Sequence, residues 1–491
     1  MKNIKILAVS TMLLVAGSCT ETLNVEPTSV ITTNNFWRTE NDANGALMGM
    51  YVELRNLSQG LHQLGEHRSE VMAPGLFGEG VFILHRNEMN ADTPGHPDWS
   101  GFYRAINTAN LILKNVPNIV FASEARKNSV LAQAYAMRAY LYFTMTKTWG
   151  DLIIRTEPTE GFGADVTLRE REAQELVFAL IKQDLEQALQ LFPDNSFSNG
   201  RAVWSKAATN ALKGDVYLWT AKRGGGGTPD LNTALAALND VDQADVGLLG
   251  DFSDVFAFEN KGNREILMSI RHQDLEPGNY LWFMWIIGAA APSNVDQATR
   301  DRIFPIGGGQ GLMVMHERVR NQFTDDDTRK DATYFDIETI EADGGRRYLT
   351  NIQQKFQGTI IGGNRVFLSD PILYRYADVL LMRAEAKNAL GQDPSQEMNL
   401  VRQRAYQENF ESHVFTAGSQ EENDDAILKE RLLELVLEGK RWWDLVRFDK
   451  AFDLVPALAN RVGQNHLLLF PIANTVLSQE PLVVQNPGYN P

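Results

Sequence analysis

The sequence is poor in residues that cross-link or catalyse. Cys19 is the single cysteine among 491 residues, so a secreted form of the chain has no internal disulfide framework. The eight histidines form no H-E-x-x-H pair, and the chain contains neither a G-x-S-x-G elbow nor a Walker A loop. These absences argue against a zincin protease, an α/β-type serine hydrolase and a P-loop nucleotide hydrolase.

Basic charge is also scarce. Lys and Arg number 46 against 62 Asp and Glu, and the formal net charge is −16 at pH 7. Phosphate binding requires clustered Lys and Arg, and docking on anionic lipid requires a basic face. The composition therefore argues against nucleic acid as a partner and against electrostatic binding to an anionic membrane.

No residue pattern marks a catalytic or cofactor site. The glycine-rich runs at 224–227 and 307–311 lack the strand–turn–helix context of a phosphate cradle. A glycosidase-type carboxylate pair stays open among the 62 acidic residues, because only spatial separation identifies such a pair. We expect a binding protein with no enzyme activity, no cofactor and no metal site.

An apolar run long enough to span a membrane is missing. The apolar stretch at 6–16 follows a positively charged start and is shorter than the roughly 20 residues of a span. Small residues then precede Cys19, as in the lipobox of a bacterial lipoprotein. We therefore expect a signal peptide at 1–18, a lipid on Cys19 and a polar tether over 19–35.

Helical periodicity dominates the rest of the chain. Residues 427–448 place apolar side chains at steps of three and four, which predicts one long amphipathic helix with Gly439 inside its apolar stripe. The charged side chains fall mostly on the other faces, and we expect a solvated or inter-helix role for them. Similar patterns elsewhere predict a mainly α fold of helical hairpins, with the tryptophans of helical segments in the core (Trp149, Trp204, Trp219, Trp442 and Trp443).

The chain is expected to form one domain over 36–491. In two blocks Pro and Gly interrupt the helical period, and long loops of this kind are often functional. Within the second block, residues 265–271 predict a buried strand, and residues 335–350 predict a hairpin. Helical parts are expected at about 36–57, 99–260 and 371–449, loops and small strands at about 58–98 and 261–370, and a C-terminal segment at 450–491.

Several segments resemble the SusD/RagB family of outer-membrane nutrient-binding lipoproteins from Bacteroidota. The pattern E-R-x-x-E-L-x-x-E-G-x-R-W-x-D-L-x-R within 427–448 resembles the C-terminal signature of that family. Similar segments occur, in the family's order, from Cys19 to Tyr489. They include Phe36–Trp37, 138–154, 200–204, 372–390 and 485–489.

This resemblance implies a tetratricopeptide-like arrangement of the helical hairpins and a protein without bond chemistry. It also implies a lipid anchor in the outer membrane, capture of oligosaccharide at the cell surface, and delivery to a SusC-like TonB-dependent transporter. Peptide binding of the RagB type shares the same motifs, and a scaffold without a ligand is a third interpretation. The sequence alone does not separate these three functions.

Aromatic residues in the two irregular blocks are the candidate ligand residues. The apolar face of a pyranose packs on an aromatic ring, while its hydroxyl groups need amide, carboxylate or guanidinium partners. In glycan-binding members of the family, ligand aromatics come from loops in roughly these two regions. The candidates are Tyr280, Trp282, Trp285, Phe77, Phe82 and Trp99, with Arg68, Glu70, Asn279 and Gln310 as polar partners.

The aromatic segment at 280–287 is expected to be extended, with side chains that alternate between two faces. Tyr280 and Trp282 then share one face, and Phe283 and Trp285 share the other. One pair would contact the ligand and the other pair the core. The alternative is that all four side chains are core residues.

Overall fold

A computed structural model of the chain describes residues 36–78, 83–96, 98–161, 163–276, 282, 284–286, 293–303 and 309–489. The helices are α1 Glu40–Glu66, α2 Ile83–Arg86, α3 Ser100–Asn115, α4 Glu124–Trp149, α5 Ala164–Thr167, α6 Gln174–Leu191, α7 Lys206–Arg223, α8 Gly227–Asp240, α9 Gln297–Ile303, α10 Glu317–Arg320, α11 Arg329–Thr333, α12 Tyr376–Ala389, α13 Ser395–Tyr406, α14 Gln420–Leu435, α15 Arg441–Arg447, α16 Ala451–Leu454 and α17 Asn474–Gln479. The strands are β1 Met72–Pro74, β2 Ile266–Ser269, β3 Met313–Met315, β4 Tyr334–Ile340, β5 Arg346–Gln353, β6 Thr359–Ile361, β7 Asn364–Val366 and β8 Ile372–Arg375. Short 3₁₀ turns lie at Val116–Asn118, Val241–Gln243, Ser253–Val255, Phe258–Asn260, Gln407–Ser412, Pro456–Leu458 and Asn465–Leu468.

Helices that pack in pairs form the body of the fold. The helix α4 packs against α3 and α6, α7 packs against α8, and α12 packs against α8, α13 and α14. Each pair buries its apolar face on a neighbouring pair, as in tetratricopeptide-like repeats. The predicted mainly α fold is confirmed, and the five tryptophans assigned to the core from their helical context are buried.

The long helix α4 lies near the centre of this body and is buried along most of its second half. The Ser123 hydroxyl caps its start by accepting a hydrogen bond from the backbone N–H of Arg126. At its end, Gly150 adopts a φ of +78°, which a residue with a side chain rarely adopts. Both ends of the helix therefore follow from local sequence.

The first helix is longer than the sequence pattern indicates. The period predicts about 36–57, whereas α1 runs from Glu40 to Glu66, so the expected start of the loop block at 58 is wrong. Leu61 and Leu64 extend the buried stripe of the helix. The free energy gained by burying these side chains outweighs the cost of Gly60 and Gly65 in the helix, which is roughly 1 kcal/mol for each glycine.

The single helix predicted over 427–448 is wrong, because the segment forms the two helices α14 and α15. In the turn between them, Leu437 and Gly439 both have positive φ (68° and 71°). Glu66 at the end of α1 holds this turn, since its carboxylate accepts hydrogen bonds from the N–H groups of Leu437 (2.9 Å) and Lys440 (3.2 Å). Burial raises the pKa of Glu66 to about 7.

Gly65 of α1 packs directly against the same turn. A Cβ atom at Gly65 would lie 1.9 Å from the carbonyl oxygen of Gly439, a backbone atom that cannot simply rotate away. We expect Gly65→Ala to lower the free energy of unfolding by about 1–3 kcal/mol, measured by urea unfolding. The matched control is Gly45→Ala on the same helix, where nothing lies within 4 Å of the added carbon. Equal stability of the two variants would contradict the close packing.

Most charged side chains of the second half of α14 and of α15 are buried between elements, so of the two expected roles, solvated or inter-helix, the structure shows the inter-helix one. They are Glu430, Arg431, Glu434, Arg441, Asp444 and Arg447. Glu434 accepts hydrogen bonds from the guanidinium groups of Arg375 (2.5 Å), Arg329 (3.3 Å) and Arg404. Burial alone would raise the pKa of Glu434, but the charges of Arg404, Arg375 and Arg329 outweigh it and hold the pKa well below its usual range. These contacts join α14 to β8, α11 and α13.

Within the described ranges the strands form two-stranded pairs. Antiparallel pairs form between β1 and β3, β2 and β8, β4 and β5, and β6 and β7. The strand predicted at 265–271 is β2, and the hairpin predicted at 335–350 is the β4–β5 pair, with Gly344 at a φ of +85° in its turn. Both strand predictions are confirmed.

Candidate functional site

The two irregular blocks of the sequence meet in space. Strand β1, from the first block, pairs with β3, which directly follows the second block's glycine-rich loop. The pairing continues beyond the strands, because the Gly75 N–H donates to the Leu312 carbonyl (2.8 Å). On the other side, the Met284 carbonyl accepts a hydrogen bond from the Leu312 N–H (2.9 Å). Three chain segments therefore lie side by side at this place.

Glycines allow these three segments to approach closely. A Cβ atom at Gly75 would lie 2.3 Å from the Gly311 carbonyl oxygen, and one at Gly309 would lie 1.9 Å from the Ile286 carbonyl oxygen. Gly311 also adopts a φ of +59°. The described part of the glycine-rich run at 307–311 therefore serves backbone packing.

An exposed rim lies along this junction, which we define as Leu76, Phe77 and Gln310. The side chain of Phe77 is 69% exposed and that of Leu76 is 42% exposed, and Gln310 is exposed as well. The Phe77 N–H donates a hydrogen bond to the Gly311 carbonyl (3.3 Å), so the backbone of the aromatic residue is fixed beside Gln310. An exposed ring next to an exposed amide is the combination that sugar binding needs.

Trp282 and Trp285 are core residues. This contradicts their selection as ligand candidates and agrees, for these two residues, with the alternative that the segment belongs to the core. Each is 1% exposed, and the Trp285 N–H donates to the Trp282 carbonyl (3.1 Å) in a turn. The alternation predicted for an extended segment therefore fails between these two residues. Trp282 stacks on Phe356 with ring centroids 4.0 Å apart and also contacts His62 edge-on at 5.2 Å. The Trp282 indole therefore joins the second block to α1.

Arg68 does not reach a ligand surface. Its side chain is fully buried, with the guanidinium 4.0 Å above the Trp442 ring and 4.6 Å above the Phe470 ring. It also donates hydrogen bonds to Asn87 and to backbone carbonyls of the C-terminal segment. The expectation of a ligand contact is therefore wrong, and Arg68 attaches the C-terminal segment to the end of α1.

Glu70 and Trp99 are also structural. The carboxylate of Glu70 accepts hydrogen bonds from Arg441 at 2.6 and 2.9 Å and is buried. Trp99 is 4% exposed and packs edge-on against Trp149 and Tyr103, with centroids 5.9 and 5.8 Å apart. It lines a surface groove of about 440 Å³ beside α3, but its ring belongs to the core.

Three further candidates lie outside the described residues, namely Tyr280, Phe82 and Asn279. Phe82 belongs to the gap that follows Phe77, and Tyr280 and Asn279 belong to the gap before Trp282. Of the ligand candidates taken from the sequence, the structure thus brings Phe77 and Gln310 together at an exposed surface.

Tyr348 on β5 is 42% exposed and is not among the candidates selected from the sequence. The Arg320 guanidinium lies 4.5 Å from the centroid of the Tyr348 ring. The Tyr348 hydroxyl accepts a hydrogen bond from the side chain of Asn351 (2.8 Å). The side chain of Asn351 in turn bonds the backbone of Met315 on β3. The alternation of the predicted hairpin could have marked Tyr348 as a residue on the outer face.

No metal-binding cluster occurs in the described ranges, because no group of three or more His, Cys, Asp or Glu side chains there is placed to hold an ion. None of the helices in these ranges has the length and apolar character needed to span a membrane.

Two family models match the chain on either side of residues 219–315. One, described as "SusD family", matches residues 316–489, and the other, described as "Starch-binding associating with outer membrane", matches residues 34–218. The solved structure of B. fragilis NanU is similar to this chain, with 36% sequence identity and a TM-score of 0.85. The match covers 95% of this chain and 100% of the NanU chain. The chain belongs to the SusD family.

Other SusD relatives agree with this assignment. The crystal structure of a SusD superfamily protein from Bacteroides vulgatus is 30% identical, covers 92% of this chain and 100% of its own, and gives a TM-score of 0.83. SusD-like protein P38 from Formosa agariphila is 27% identical over the full length of both chains. The resemblance of the sequence motifs and the SusD-like fold are therefore both confirmed.

Proposed function

We propose that this SusD family member captures glycans at the cell surface and delivers them to a partner TonB-dependent transporter of the outer membrane. The description of the family model that matches residues 34–218 names starch binding and association with the outer membrane, which supports this proposal. The composition supports it as well, since a strongly acidic chain does not suit nucleic acid. The observation that carries the placement of the site is the exposed Phe77 ring at the junction of the two irregular blocks.

In this proposal the protein binds sugar and performs no reaction on it. The Phe77 ring packs against the apolar C–H face of a pyranose, and the Gln310 amide exchanges hydrogen bonds with hydroxyl groups. Tyr280 and Phe82, each within a few residues of described parts of the two blocks, are proposed as further platforms. The backbone hydrogen bonds between β1 and β3 hold the rim in place before the ligand arrives, which reduces the entropic cost of binding.

The proposed location is the outer surface of the outer membrane. In this proposal the chain is cleaved before Cys19, the Cys19 sulfur carries a lipid, and residues 20–35 connect the anchor to the folded body at Phe36. Membrane attachment that does not rely on a basic surface suits the net charge of −16.

Binding measurements with glycan and peptide panels test this function. We expect the purified body to bind oligosaccharide, and we expect Phe77→Ala to weaken that binding about tenfold, equivalent to about 1.4 kcal/mol. Phe77→Tyr keeps an aromatic face and should retain the affinity. Calorimetric titration measures each dissociation constant.

A suitable control is Val120→Ala, which removes another exposed apolar side chain. Val120 is 87% exposed and lies just after the 3₁₀ turn Val116–Asn118 that follows α3. Binding of peptides but not of glycans by the wild-type protein would overturn the glycan proposal. An unchanged glycan affinity in Phe77→Ala would instead overturn the placement of the site.

A further inference from the structure

A groove on the helical body is formed by elements other than those of the rim. It has a volume of about 610 Å³ and lies between α3, α4, α6 and the segment at 156–157. Sites for small ligands usually measure roughly 300–1,000 Å³. The rim lies instead beside β1 and β3. The groove is therefore a second surface with the dimensions of a ligand site.

One guanidinium group ties the walls of this groove together. Arg138 of α4 donates hydrogen bonds to the carboxylate of Asp184 on α6 at 2.7 and 2.8 Å. It also donates to the side-chain oxygen of Asn110 on α3 (2.7 Å) and to the Thr156 carbonyl (3.3 Å). Arg138 and Asp184 are 5% and 1% exposed, and a bidentate charged pair of this kind is strong. The groove is thus shaped before a ligand arrives, which reduces the entropic cost of binding.

The cations that line the groove are paired within the protein. Arg138 pairs with Asp184, and Lys114 pairs with Glu160. The other charged lining side chain, Glu157, is exposed to solvent. An anionic ligand would therefore find no uncompensated cation in the described lining and would meet an exposed carboxylate instead. The electrostatics of the groove favour a neutral ligand.

The uncharged polar groups that the groove offers to a ligand include one phenol hydroxyl and two amides. Tyr135 of α4 is half-buried, and Gln183 and Gln187 lie one turn apart on α6. In the described part of the chain, the hydroxyl of Tyr135 and the two amides have no hydrogen-bond partner. An amide both donates and accepts hydrogen bonds, as a sugar hydroxyl does. The half-buried side chains of Leu113 and Leu180 add apolar surface to the same lining.

We propose that this groove is a second glycan-binding site and that it takes a neutral oligosaccharide. The second site rests on the proposed function, to which it adds a place on the helical body and a charge class for the ligand. The C–H face of one pyranose packs against the Tyr135 ring, and its hydroxyl groups exchange hydrogen bonds with Gln183 and Gln187. An aromatic ring beside amides on a preorganised surface is the same combination as at the rim.

Calorimetric titration tests the groove in a protein whose rim is weakened by Phe77→Ala. The probes are maltoheptaose, cellohexaose and mannohexaose as neutral oligosaccharides, and tetragalacturonic acid as an acidic one. Adding Gln183→Ala and Gln187→Ala to Phe77→Ala should weaken the remaining binding of a neutral probe about tenfold. Adding Gln190→Ala instead should leave that binding unchanged, because Gln190 is exposed on the same helix and lies outside the groove.

Three outcomes distinguish a failure of the groove from a failure of the proposed function. Equal affinities of the Phe77→Ala protein with and without the two glutamine substitutions would overturn the groove, while glycan binding by the wild type would stand. The same holds if the Phe77→Ala protein binds the acidic probe alone. A wild-type protein that binds none of the glycans would overturn both.

A crystal of the wild-type protein soaked with the tightest-binding neutral probe gives a readout that needs no variant. We expect density for a sugar ring on Tyr135, with hydroxyl groups in hydrogen-bonding contact with Gln183 or Gln187. Sugar density at the rim, with ordered water alone in the groove, would overturn the second site.

Discussion

Replacing Trp282 by alanine should lower the free energy of unfolding by about 3–5 kcal/mol, the usual cost of removing a large aromatic side chain from a core. Trp282 is 1% exposed and stacks on Phe356 at an interplanar angle of 12°. It also touches His62 of α1, so the substitution removes one of the contacts that attach the second irregular block to the helical body. Urea unfolding followed by fluorescence or circular dichroism measures the change.

Two further variants separate an anchoring role from a ligand-binding role. Trp282→Phe keeps a ring on Phe356 and should lose less than half as much stability as the alanine variant. Phe77→Ala, at the exposed rim, should stay within about 0.5 kcal/mol of the wild type while it weakens glycan binding. If Trp282→Ala folded with unchanged stability but lost the ligand, the indole would be a sugar platform and the assignment to the core would fail.

The helical body could be predicted from the sequence because its signals are local. Apolar side chains at helical spacing, the Ser123 cap and the glycine at position 150 each act within a few residues. The break between α14 and α15 is different. Gly439 fits a helix interior and a left-handed turn about equally well by sequence, and Glu66, which holds the turn, lies 371 residues before Leu437. A contact that distant leaves no local pattern.

The same limit explains the error over the tryptophans of the second block. An aromatic side chain in a glycine-rich region suits a ligand platform and a core anchor alike, because both contacts bury an apolar ring. The deciding partners of Trp282 are His62 and Phe356, which lie in separate parts of the chain. Phe77 could be selected from the sequence as a candidate, but only its exposure distinguishes it from the buried candidates.

Charge burial was the least predictable feature. In sequence, Glu434 and its neighbours alternate acids and bases at helical spacing, which is typical of a solvated helix face. In the structure the partners of Glu434 come from other elements, since Arg375 and Arg329 lie 59 and 105 residues away. Desolvation is acceptable here because several guanidinium groups share the carboxylate and satisfy its lone pairs.

Glu434→Gln should therefore lower the free energy of unfolding by about 3–5 kcal/mol at pH 7, because it leaves Arg375, Arg404 and Arg329 buried with too little negative charge. The pKa of Glu434 lies well below its usual value in the folded protein. Its contribution to stability is then fully present above the unfolded pKa and is lost as pH falls through the folded value. The difference in the free energy of unfolding between wild type and variant should therefore narrow progressively as the pH falls below about 4.5.

Lys429→Gln provides the matched control, since Lys429 lies on the exposed face of the same helix and surface substitutions usually change stability by less than about 0.5 kcal/mol. Urea unfolding of the three proteins at pH 7 and near pH 4 measures both predictions. The free energy of unfolding of Glu434→Gln could instead lie within about 1 kcal/mol of the wild-type value at neutral pH. Water or rearranged side chains would then have replaced the lost carboxylate beside the arginines. The ionic network would then be incidental to the SusD fold, whereas a large and pH-dependent loss would make it the contact that holds α14 against β8, α11 and α13.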